Sequence, residues 1–156
     1  MPVEVGMRLR RRTLRLRALQ ALAGRVLHHV GEFDSFLSLE IVGDARMRGL
    51  NRRFRRKDKT TDVLAFAARE APGPSSPVLG DVVISLPQAI RQARERGHHP
   101  DRELAVLLIH GVLHLCGYDH ERSGAEERRM KRRETRVLAR VSPIPPLLLS
   151  GYRVRV

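Results

Sequence analysis

From Val3 to Leu9 apolar and polar residues alternate, the period of a half-buried strand. From Thr13 the period lengthens. Leu19, Leu22, Ala23, Val26, Leu27 and Val30 share one helical face, and Gly31 ends the pattern. Alternation returns over Phe36–Val42 and closes at Gly43-Asp44. Asp44 is a suitable N-cap for a second helix. Met47, Leu50 and Phe54 form its apolar stripe, with Arg46, Arg48, Arg52, Arg53 and Arg56 on its remaining faces. A basic turn through Lys59 leads to a third strand over Thr61–Ala67. The Pro- and Ser-rich run Ala71–Pro77 predicts a surface excursion between neighbouring strands. The fourth strand, Gly80–Leu86, is almost continuously apolar, which predicts burial on both faces.

Pro87 opens a third helix and Gly97 closes it. Pro100 or Asp101 begins a fourth, whose run Leu104–Ile109 reads as buried. Ser123 and Glu126 form a capping box for the last helix, which extends to about Arg140 with Met130, Val137, Leu138 and Val141 as its apolar positions. The order β-α-β-α-β-β-α-α-α predicts an α+β fold: a single domain with a small mixed four-stranded sheet, about five helices packed on it, and the fourth helix central. The domain is assigned to residues 1–141. Residues 142–156 form a Pro- and Leu-rich C-terminal tail that could dock on the core or on a partner. No internal repeat is present.

A chain of 156 residues suits one domain with a genuine core. Charge changes the picture more than length does. Thirty Lys and Arg against 17 Asp and Glu leave a formal +13, which favours a polyanionic partner, with nucleic acid the commonest. The single cysteine, Cys116, excludes an intramolecular disulfide framework and suits a reducing, cytoplasmic setting. No stretch reaches the roughly 18 apolar residues that span a bilayer, so no membrane partner is expected. The Arg-rich start, Met1–Arg17, lacks the Ser content of a transit peptide and is expected to belong to the domain.

Three of the seven histidines fall within eleven residues, His110–His120. His110 and His114 are one helical turn apart and share a face. Gly117 lets the chain leave the helix through a left-handed residue, after which His120 can return toward the same point. Three imidazoles and an open position describe a catalytic zinc site, one ion per chain, although another late transition metal also suits this donor set. Cys116 lies about 200° around the helix from His114 and is assigned to the core. His28-His29 and His98-His99, near predicted helix ends, are assigned to the surface or to caps.

A hydrolytic metal site admits two chemistries. The spacing His110-His114-Gly117-His120 equals the second half of the extended zinc-peptidase signature, but that signature requires Glu after the first His, and here the residue is Gly111. Phosphodiester cleavage uses what is present: a metal, and a cation from the run Arg52-Arg53-Phe54-Arg55-Arg56-Lys57 to stabilise phosphoryl charge. The general base stays open among Asp58, Asp81 and Asp119. Aromatics for base stacking are few, namely Phe54, Phe66 and Tyr118, and each also fits the core.

The segments Leu50–Phe66, Gly80–Ile84 and His110–His120 together resemble the YbeY family of bacterial endoribonucleases and rRNA maturation factors. The resemblance covers about Phe36 to Val141. It implies metal ligation by His110, His114 and His120 and a functional arginine at Arg55. It also implies cleavage of single-stranded RNA, 16S rRNA 3′-end maturation and ribosome quality control, and the small ribosomal subunit as partner. Thr60, Arg56 and Ala65 depart from that pattern, where Pro, Gly and Ser are usual. A non-catalytic ribosome-assembly factor stabilised by its metal is the alternative; a metallopeptidase without the usual Glu is a more distant one. Oligomeric state is not legible.

Overall fold

The computed structural model describes residues 3–8, 14–68, 77–118 and 123–149. Their order is β1 (Val3–Arg8), α1 (Leu16–His29), β2 (Phe36–Val42), α2 (Asp44–Arg55), β3 (Val63–Ala67), β4 (Val78–Ser85), α3 (Leu86–Arg96), α4 (Pro100–Leu115) and α5 (Gly124–Val141). This is the predicted sequence of elements. The expected excursion over residues 71–77 falls almost wholly outside the described residues.

The four strands form one mixed sheet in the order β1-β2-β4-β3. β1 and β4 run parallel to β2, and β3 is antiparallel to β4. β4 is therefore interior, and its two faces are buried in different places. Val82 and Ile84 join the main core with Leu37, Leu39 and Ile41 of β2, while Val83 joins a smaller cluster with Val42, Met47 and Leu64. The main core is closed by α1, α3, α4 and α5 through Leu19, Leu22, Ile90, Leu104, Leu108 and Met130. The smaller cluster lies under α2.

α4 is buried along most of its length, which is why its sequence shows an apolar run rather than a narrow stripe. Gly111 sits where α4 crosses the sheet. A Cβ there would lie 2.8 Å from Val82 Cγ1 and 3.3 Å from Val63 Cγ2, so only glycine allows this approach. The first turn carries Glu103, fully buried yet paired with Arg96 at 2.7 Å and His98 at 2.5 Å, which ties α3 to α4. His99 caps α4, its Nδ1 accepting from Asp101 N at 3.1 Å. The tail after α5 docks on the domain as far as it is described. Leu147 is fully buried, its carbonyl accepts from Arg15 N at 2.7 Å, and Leu148 N donates to Asp101.

Two local expectations change. Gly43, not Asp44, occupies the N-cap of α2, with no side-chain cap. The Asp44 carboxylate instead binds Arg91 at 2.8 and 2.9 Å and accepts from Ser85 and Thr60 hydroxyls. The apolar stripe of α2 is also shorter than the pattern predicts. Met47 and Asn51 are its buried residues, whereas Phe54 is 52% exposed. Asn51 is buried because its Nδ2 donates to Lys59 O at 2.9 Å, pinning the turn that follows the helix.

Candidate metal centre and cationic groove

His110 and His114 lie one turn apart near the C-terminal end of α4, and the helix ends directly beyond them. Gly117, at φ 98°, takes the left-handed conformation that the sequence requires of it. Its N–H donates to His114 O and Tyr118 N–H donates to Leu113 O, each at 3.1 Å, the paired bonds of a Schellman ending. The helix therefore stops with both imidazoles on the face that borders β3, at a groove of about 950 Å³.

The two rings meet at 70° with centroids 4.6 Å apart, and their Nε2 atoms are 3.1 Å from each other. Two imidazoles bound at about 2.0–2.1 Å to one tetrahedral ion would hold their nitrogens about 3.3 Å apart. The pair thus fits a shared divalent cation with little movement. The Nδ1 of His110 is hydrogen-bonded to the Glu134 carboxylate. An ionised carboxylate only accepts, so a neutral His110 paired with it carries its proton on Nδ1 and presents the Nε2 lone pair on the side of His114. A carboxylate behind a ligating imidazole is the usual arrangement at such sites, where it sets the tautomer and orients the ring.

No sequence motif marks Glu134, although a signal for it exists. It lies four residues after Met130 and three before Val137, both buried, so it sits on the inward stripe of α5. An acid at that position in a basic helix needs a polar partner inside, and His110 is that partner. Its side chain is 23% exposed.

Arg55 borders the same groove from the opposite wall, with Lys57 and Lys59 beside it. Its guanidinium donates to Ala65 O at 2.9 Å and lies over the Phe66 ring at 5.4 Å. The turn carrying these cations is strapped back onto α2 by Asn51, by Thr60 on Asp44, and by a two-bond Arg48–Asp58 pair at 2.8 and 3.2 Å. Arg56, the C-cap of α2, is the one non-glycine residue with positive φ among the described residues, at φ 57°.

Of the carboxylates considered as general base, Asp58 is committed to Arg48, whose hydrogen bond holds its carboxyl below the usual range, and it lies outside the groove lining. Asp81 alternates with Val82 on β4 and so projects from the sheet face opposite α4. Asp119 and the third expected ligand, His120, lie outside the described residues. The structure adds Asp62, a carboxylate that the sequence pattern does not distinguish. It borders the groove and is oriented by Val63 N at 2.7 Å and Gln92 Nε2 at 3.1 Å. Gly111 decides against the peptidase arrangement: the position that would need Glu faces β4 with no space for a side chain. Among the described residues, no helix is long and apolar enough to cross a membrane.

A family model described as endoribonuclease YbeY matches residues 7–142. The chain belongs to the YbeY family. Its relatives include the endoribonuclease YbeY of Aquifex aeolicus, 42% identical over 88% of this chain and 91% of that protein. The Geobacter metallireducens relative of the same name is 44% identical over 89% of this chain and 95% of that protein. The Anaeromyxobacter sp. (strain Fw109-5) relative is 51% identical over 76% of this chain, which spans only 60% of its length. In fold the chain is similar to the solution structure of TM1509 from Thermotoga maritima, with a TM-score of 0.63, 24% identity and coverage of 89% and 88% of the two chains. The YbeY match takes in both walls of the groove together with Glu134.

Proposed function

We propose that this protein is a metal-dependent endoribonuclease that cuts single-stranded RNA in the groove between α4 and the end of α2. Its physiological substrate is rRNA, at the 3′ end of 16S rRNA, met on the small ribosomal subunit in the cytoplasm in the course of maturation and quality control. One observation carries the reading: two imidazoles with facing Nε2 atoms, one of them backed by a carboxylate, in a groove whose other wall is cationic. Membership of a family whose curated members are named endoribonuclease supports the RNA substrate.

His110 and His114 would hold a zinc-class ion, with His120 as the third ligand expected from the spacing. When bound, such an ion supplies Lewis-acid stabilisation of phosphoryl charge and makes water acidic enough to act at neutral pH. The chain does the rest. Glu134 keeps the His110 proton on Nδ1. Arg55, Lys57 and Lys59 attract the phosphate backbone and orient it across the groove, and the Arg55 guanidinium balances charge gathering on the non-bridging oxygens. Its bond to Ala65 O and its seat over Phe66 hold it in place before RNA arrives.

Elemental analysis of the purified protein, with cleavage of a single-stranded rRNA fragment before and after chelation, tests this reading. The expected result is about one metal per chain and loss of cutting on chelation, with far-UV circular dichroism unchanged. α4 is anchored by Leu104, Leu108, Val112 and Leu113, all fully buried, an apolar support that is present without an ion. Unfolding of the stripped protein would instead favour a metal that serves structure in an assembly factor. Arg55→Ala should lower cleavage about 100- to 1000-fold while metal content stays the same.

A further inference from the structure

Phe54 is out of place as a core residue. It occupies the stripe position after Met47 and Leu50, yet it is half exposed, while the neighbouring Asn51 is buried. Its ring stands edge-on against Phe66, with centroids 5.2 Å apart at 62°, and Phe66 borders the groove. Cations flank both rings. The Arg53 guanidinium lies 5.1 Å from the Phe54 centroid, and that of Arg55 lies 5.4 Å from the Phe66 centroid. The result is a run of four planar groups, Arg53-Phe54-Phe66-Arg55, leading from solvent to the groove.

We propose that Phe54 is a stacking shelf for one base of the single-stranded RNA, just outside the point of cleavage. This rests on the ribonuclease reading and adds to it a residue that positions the strand. Three features select a nucleic-acid base as occupant. An exposed aromatic with guanidinium groups alongside matches a π-face with phosphates on either side. Lys57 and Lys59 add positive charge to the groove lining beside Arg55 and Phe66. Phe33, the other large exposed ring among the described residues, is 65% exposed but packs on His28, and neither residue lines the groove. A base stacked inside a duplex cannot reach the shelf, so the shelf supplies a physical cause for single-strand preference.

The chain contains no Trp, so Phe54→Trp places one fluorescent reporter at the shelf. Saturating single-stranded RNA, with saturation checked by anisotropy of a labelled oligonucleotide, should quench its emission; the corresponding duplex should not. Phe54→Ala should raise the Kd for the single strand about tenfold and lower the melting temperature by only about 2–4 °C, because half the ring is already in water and the loss is confined to its contacts with Phe66 and Arg53. A scan of abasic positions along the RNA should find one site whose loss weakens wild type by that same factor and leaves Phe54→Ala unaffected. Equal losses in the two proteins, or unquenched emission of the Phe54→Trp variant at saturation, would overturn the shelf. Wild type that shows the stacking signature but cuts no RNA would support the shelf and overturn the nuclease reading; no binding of RNA at all would overturn both.

Discussion

The wall of the groove that carries His110 and His114 is an interior helix, whereas the wall that carries Arg55 is the exposed end of a surface helix. α4 has ten buried residues along its sixteen, and at Gly111 its approach to the sheet leaves no space for a methyl group. α2 has two buried residues in twelve, and the turn beyond it is held by polar bonds to Asp44, Arg48 and Asn51. A packed wall keeps the imidazoles in fixed geometry, which metal ligation requires. A wall held by hydrogen bonds can adjust by small movements, which suits a flexible strand of RNA. The proposed division of labour, metal ligation on one wall and phosphate contact on the other, matches how each wall is anchored.

The comparison breaks most easily at Gly111. Gly111→Glu would drive a charged side chain into Val82 and Val63, and should cost about 3 kcal/mol or more of stability without creating peptidase activity. Urea denaturation read against a casein-cleavage assay checks both halves of that statement. Next in size is the support behind the ligand. Glu134→Gln keeps the shape but removes the charge, and should weaken metal affinity about 10- to 100-fold in a competition titration with a chromogenic chelator. If affinity is unchanged, the packed wall alone orients His110.

Smaller effects test the adjustable wall. Arg56 occupies a left-handed position where glycine carries no steric penalty, so Arg56→Gly should stabilise the protein by about 0.5–1 kcal/mol, measured as a rise in the urea midpoint. The weakest test is acid. The hydrogen bond from Arg91 holds the Asp44 carboxyl below its ordinary value of 3.8. A carboxylate depressed in the folded state stabilises above that value and loses its contribution as pH falls through the folded pKa. Asp44→Asn should therefore be less stable than wild type near pH 6, by no more than about 1 kcal/mol since the pair is partly exposed, and the gap should close as pH falls below 3.8 and through the folded pKa.

Legibility followed the kind of interaction. The strand and helix order was readable because period and punctuation are local: Gly97 and Gly117 end helices as their positions implied. The fourth strand was readable as buried on both faces because Val82, Val83 and Ile84 are consecutive and apolar. Phe54 misled because helical spacing states which face a residue shares, not where the supporting sheet stops. Asp44 misled because a short acid before a helix is a good cap in general, and Arg91, 47 residues away, outcompeted the local bond.

The pairing of His110 with His114 and the bend at Gly117 were determined by sequence alone, since a helix repeats every 3.6 residues whatever surrounds it. So was the excess of positive charge. Three things were decided only by tertiary structure: Glu134 behind His110, across 24 residues of chain; Arg55 on the facing wall; and the absence of space at Gly111. Each depends on which helix packs against which strand, and that is settled by the sum of many contacts spread over the chain rather than by any short pattern within it.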